Sequence, residues 1–143
     1  MPTDATRALV QLTLLEAGAT GDLAAAIRTR ASAHLVVHLA NGEVDGLALA
    51  AATAQELYGA MPDTSLTLDG LVVDGDRAVV MFTLSGTHTG SIRGYAPTGK
   101  RVNITMAIAF LVVGSEFIEL RYYSNLLAPL VAGYRETHQG EAA

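Results

Sequence analysis

Val102–Ser124, VNITMAIAFLVVGSEFIELRYYS, decides the fold class. Apolar side chains recur at Ile104, Met106, Ile108 and Phe110, the period of a strand with one buried face. Gly114-Ser115 reads as a tight turn, and Phe117–Ser124 as the strand that returns alongside. Upstream, Leu66, Leu68 and Leu71-Val72-Val73 form another strand. Asp74-Gly75-Asp76 is a hairpin turn, and Ala78–Ser85 is the strand that follows it. Between Gly86 and Gly99 the chain is a glycine-rich, irregular loop containing Pro97.

Further out the period becomes helical. Thr3 or Asp4 caps a first helix to about Ala17, with Gly18 as its stop. Asp22 opens a second, Leu23–Arg30. His34–Leu39 reads as a strand and Asn41-Gly42 as a turn. A third helix, Leu47–Met61, ends at Pro62-Asp63. After the last strand, 125–134 reads as a closing helix and the tail beyond Tyr134 as disordered. Helices first and a strand meander after them predict an α+β domain. Its form is a cone-shaped, curved antiparallel sheet covered on one face by the N-terminal helices, with a cavity between.

The 143 residues suit a single domain, 1–143. Apolar residues make up 50% of the chain and mean hydropathy is +0.34, so either the core is large or apolar surface meets a ligand or a second subunit. There is no cysteine, hence no disulfide and no thiolate metal site. A net charge of −5 without a basic stripe argues against nucleic acid. No apolar run reaches the roughly 20 residues of a membrane span, and Met1-Pro2-Thr3-Asp4 lacks the basic start of a secretory signal. A cytoplasmic location is expected. His34 and His38 share a strand face but lack a third ligand, so no metal is expected.

One loop goes beyond fold class. Gly86-Thr87-His88-Thr89-Gly90, followed by Gly94-Tyr95-Ala96-Pro97-Thr98-Gly99-Lys100-Arg101-Val102, resembles the signature of SnoaL-like polyketide cyclases. Pro62-Asp63, Gly75-Asp76-Arg77-Ala78-Val79 and Phe117-Ile118-Glu119 fit that pattern in order, over Leu14 to Leu130. The resemblance implies a ketosteroid-isomerase-type fold, usually dimeric, without metal or organic cofactor. It also implies an activity drawn from aldol cyclases of polyketide esters, hydroxylase-like relatives or more distant epoxide hydrolases. In the family's pattern an aspartate on the last strand is the general acid/base, and a histidine on the preceding strand supports it. Here those positions fall on Tyr122 and about Ile108, and a later acid becomes Asn125.

With Tyr122 turned to the cavity, the period of two turns Leu120, Ile118 and Ser124 the same way, and Glu119, Arg121 and Tyr123 outward. Ile104, Met106, Ile108 and Phe110 share the inner face. The pocket is expected to hold almost no carboxylate. Tyr122 is the candidate catalytic group, as a hydrogen-bond donor to a carbonyl or enol; otherwise it is a half-buried core tyrosine. His38 and Tyr58 are the polar candidates at the pocket, although a strand histidine is also met as a ligand of a backbone carbonyl. His88 is expected to pin the loop.

Three functions remain. The first is a cyclase or isomerase of a hydrophobic polyketide-like intermediate in secondary metabolism, such as antibiotic biosynthesis, acting by positioning without a cofactor. The second is a non-catalytic binding protein. The third is an epoxide-hydrolase or hydroxylase-like relative. The expected partners are a small hydrophobic molecule and a second copy of the chain.

Overall fold

The computed structural model of the chain describes residues 3–39, 42, 44, 45 and 47–124. Asn41 of the expected turn, the expected closing helix at 125–134 and the tail beyond it lie outside the described residues. The elements run α1 (Thr3–Thr20), α2 (Leu23–Thr29), β1 (Ala31–His38), β2 (Val44–Asp45), α3 (Ala48–Ala60), β3 (Ser65–Asp74), β4 (Arg77–Thr87), β5 (Arg101–Val113) and β6 (Glu116–Ser124).

The first helix passes through Gly18. It stops at Gly21, whose φ of 73° suits a residue without Cβ and whose N–H reaches the Ala17 carbonyl at 2.8 Å. α1 turns Thr6, Val10, Thr13 and Ala17 to the core, and the Thr13 hydroxyl donates to the Leu9 carbonyl at 2.8 Å. Asp22 caps α2 by accepting from the Ala25 N–H at 3.0 Å, as its position before Leu23 requires. A 2.7 Å ion pair between Glu16 and Arg30 ties the two helices together.

The strands make one six-stranded sheet in the order β2-β1-β6-β5-β4-β3. The meander β3 to β6 is antiparallel throughout, and β2 is antiparallel to β1. The pairing of β1 with β6 is parallel, with Val37 opposite Leu120, so the sheet is mixed rather than wholly antiparallel. β1 precedes the meander in sequence yet pairs with its last strand. The long connection through β2 and α3 then carries the chain to the far edge, as a parallel pair demands.

Bulges bend the sheet near Gly70 of β3, in β1 and in β6. In β6, Glu119 faces Leu111 and Phe117 faces Val112, leaving Ile118 as the extra residue. The bulge moves Ile118 off the inner face, contrary to simple alternation, and puts Phe117 there. Phe117 is fully buried, with its ring 4.9 Å from that of Phe110. Val10 of α1 and Ile27 of α2 join the same core.

Candidate functional site

The inner face of the sheet is built in rows. Ala78, Phe110 and Leu120 lie side by side, then Val80, Ile108 and Tyr122, then Phe82, Met106 and Ser124, then Leu84 and Ile104. The first row is sealed in the core. From Tyr122 onward the face opens into a cavity of about 580 Å³, walled by Phe82, Leu84, Met106 and Leu66 of the sheet and by Ala50, Ala54 and Leu57 of α3. Most of this lining is apolar, as a site for a small organic molecule requires.

Of the residues singled out from the sequence, Tyr122, Tyr58, Met106 and Ser124 line this cavity. Ile104, Ile108, Phe110 and Leu120 share its face but do not line it; they are buried in the core cluster. Alternation names the face of a strand, not how far along it the cavity extends. His38 does not reach the cavity either. Its parallel partner is Arg121, which puts it on the outer side, in a small depression with Arg121 and Tyr123, while Val37 takes the inner side.

Tyr122 and Ile108 stand directly opposite each other on β6 and β5. Burial pushes the Tyr122 phenol well above its usual range, so it stays neutral and can donate a hydrogen bond but not serve as a ready base. The Tyr58 phenol is also raised, first by burial and then by the charge of Asp22. Two residues beyond Tyr122, the Ser124 hydroxyl is buried without a hydrogen-bond partner among the described residues. An orphaned hydroxyl on a cavity wall is free to bond a bound molecule.

Sequence reasoning missed three charged residues of the lining among the described residues, Asp22, Arg28 and Arg93. Among the described residues Asp22 supplies the one carboxylate of a lining expected to hold almost none. Asp22 was legible as a helix cap, but nothing in the sequence says that α2 lies over the sheet's open end. Among the described residues no three His, Cys, Asp or Glu side chains are grouped to hold a metal.

The glycine-rich loop closes over the end of α3. The N–H groups of Thr89 and Gly90 both donate to the Ala60 carbonyl, at 3.0 and 2.9 Å. A Cβ on Gly90 would stand 2.7 Å from the Gly59 carbonyl oxygen, so glycine alone permits this approach. His88 is wholly buried. Its backbone N–H and C=O pair with Lys100 and Gly99, its Nδ1 lies 3.3 Å from the Thr98 hydroxyl, and its Nε2 has no partner among the described residues.

Asp63 anchors the loop's start, accepting from the Thr87 N–H at 2.7 Å and the Thr87 hydroxyl at 2.9 Å, with Arg101 at 3.4 Å. These bonds, the backbone one first, hold the Asp63 carboxyl below its usual range. A depressed folded-state value means stabilisation that is present above the unfolded value, about 3.9, and lost as pH falls through the folded one. Asp63→Asn should therefore lower the melting temperature at pH 7, with the gap to wild type closing below about pH 4. A gap that stays constant with pH would show that the charge contributes nothing.

No helix among the described residues is long and apolar enough to cross a membrane. The model of the SnoaL-like polyketide cyclase family matches residues 8–132. Among solved structures, AclR from Streptomyces galilaeus, a candidate hydroxylase, superposes with a TM-score of 0.78 at 22% identity, covering 94% of this chain and 83% of its own. IdmH from Streptomyces antibioticus, a candidate polyketide cyclase, gives 0.71 at 23%, covering 88% and 96%. TsrD from Streptomyces laurentii gives 0.70 at 27%, covering 94% and 97%. No curated protein sequence matches the chain.

Proposed function

Because the chain belongs to the SnoaL-like polyketide cyclase family, we propose that it is a cyclase or isomerase of a hydrophobic, polyketide-like intermediate in secondary metabolism. The observation that carries this reading is the apolar cavity of about 580 Å³ with the neutral phenol of Tyr122 on its wall. Tyr122 stands where the family's pattern has its aspartate, and Ile108 opposite it offers no imidazole. An aldol closure that begins by removing a proton has no evident base at that position. Ring formation by holding a chain folded does not need one. Fixing reacting atoms in contact supplies up to about 7–11 kcal/mol in well-oriented systems. A hydrogen bond from Tyr122 to a carbonyl that gains negative charge adds a smaller electrostatic part.

The rival reading is a protein that binds the intermediate without converting it, and the same lack of an evident base favours it. Mass and retention time together separate the possibilities. Cyclisation or isomerisation gives a new chromatographic peak with the substrate's atoms or with water lost, hydroxylation adds oxygen, and mere binding returns the substrate peak unchanged. Chromatography coupled to mass spectrometry of the turnover mixture is the test.

A homodimer through the outer face of the sheet belongs to this proposal. That face exposes Tyr123 and Met81 beside the Arg121–Glu119 pair, whose N···O distance is 2.6 Å. Light scattering at micromolar concentration should give twice the 14.9 kDa of the chain, and Tyr123→Asp should shift it toward one chain. A wild type that scatters as a single chain contradicts the dimer.

A further inference from the structure

The whole sequence has 9 Lys and Arg against 14 Asp and Glu, yet two of the three charged residues that line the cavity, among the described residues, are Arg28 and Arg93, the third being Asp22; Arg93 is paired with Glu56. Asp22 is already engaged, since its Oδ1 accepts from the Ala25 N–H to cap α2. Arg28, in the last turn of α2, makes no ion pair among the described residues, whereas Arg30 is turned to Glu16.

Arg93 is placed at a cost. Ile92 and Tyr95 exchange both backbone hydrogen bonds, at 3.1 and 2.8 Å, which makes Arg93-Gly94 the centre of a two-residue hairpin. Both centres have positive φ, 46° at Arg93 and 84° at Gly94. The first centre of such a turn is normally Asn, Asp or Gly, because a long side chain is strained there. Strain of this kind persists where the side chain's position is used. Here it sets a guanidinium on the cavity wall, where its Nε makes a 3.1 Å ion pair with Glu56 of α3. That bond occupies one donor of a five-donor fork.

We infer that the cavity selects an apolar molecule bearing a carboxylate, which Arg28 and Arg93 hold while the hydrocarbon body lies against Phe82, Leu84 and Met106. This rests on the reading of the cavity as the substrate site and adds the class of substrate. A planar guanidinium matches a carboxylate with two parallel hydrogen bonds. Arg28 and Arg93 are both exposed, so the strength of such a pair rests on its fork geometry rather than on exclusion of water. An acid can form this charge-assisted pair and its neutral ester cannot, so the two arginines discriminate between them.

The test is fluorescence titration of the full chain with pyrenebutyrate and with its methyl ester, two probes with one apolar body. Wild type should bind the acid about tenfold more tightly than the ester. Arg28→Gln and Arg93→Gln should each weaken the acid by about the same factor and leave the ester alone. Arg77→Gln removes the same charge from an exposed position at the start of β4, outside the lining, and should change neither. Equal affinity of wild type for acid and ester overturns the inference while sparing the cavity reading. So does a loss in Arg28→Gln no larger than in Arg77→Gln. If neither probe binds, or if Ala54→Trp within the cavity leaves both affinities intact, the cavity reading falls as well.

Discussion

Ile108→Asp should destabilise the protein by about 3–5 kcal/mol at neutral pH, the scale for an uncompensated buried charge. Ile108 is 1% exposed, between Val80 of β4 and Tyr122 of β6. Nothing charged is paired with it across either neighbouring strand, so a carboxylate there loses its hydration without gaining a counterion. The new carboxyl would respond by holding its proton, with a folded-state pKa above the unfolded one. A raised value means that the penalty is smallest below the unfolded pKa and grows as pH rises through the folded one. Urea denaturation at pH 8 and pH 5 should therefore show a larger deficit at pH 8. A variant as stable as wild type at both would mean that Ile108 meets water and that the register of β5 against β6 is wrong.

Tyr122→Phe should lower turnover of the natural intermediate by about tenfold to a hundredfold. That is the loss expected from one hydrogen bond of roughly 1.5–3 kcal/mol to a developing charge. The substitution keeps the ring, so the cavity wall retains its shape and the melting temperature should hardly move. The effect should appear in kcat rather than KM, because the bond matters most where charge develops. The rate should also show no titration from Tyr122 between about pH 6 and 9, since burial keeps the phenol protonated well above that window. A fall of more than about 10⁴-fold, beyond the usual general acid–base range, with a new pH dependence would instead make Tyr122 an obligatory proton carrier.

The fold was legible where one local rule decides an element. The alternation through Ile104, Met106, Ile108 and Phe110 gave the strand and its inner face, and Gly114-Ser115 its turn, with φ of 57° and 68°. Asp22 was legible as a cap because its side chain bonds within its own turn. What escaped depends on partners distant in sequence. The parallel seating of β1 on β6 is invisible within β1. The bulge at Ile118 exists only relative to β5. Gly18 and Gly21 are equally plausible helix stops by composition, and only the chain's path into α2 chooses the second.

The site followed the same division. Tyr122 and Ser124 could be put on the cavity side from alternation alone. Leu120 and Phe110 obey the same alternation yet are sealed in the core, in one cluster with Val10 of α1 and Ile27 of α2. His38 faces outward because β1 is in register with Arg121, a fact of pairing. Arg28 and Arg93 reach one cavity from α2 and from a hairpin, and no spacing in the sequence links them.

The most direct test of the central claim uses a strain lacking the gene. The intermediate that accumulates is isolated and incubated with purified protein without added cofactor, and the product is separated by chromatography, weighed by mass spectrometry and its skeleton read by NMR. A product of the same mass, or lighter by one water, with one ring more or a rearranged skeleton is the predicted result. A product heavier by one oxygen, or an intermediate that binds tightly and is recovered unchanged, would contradict it.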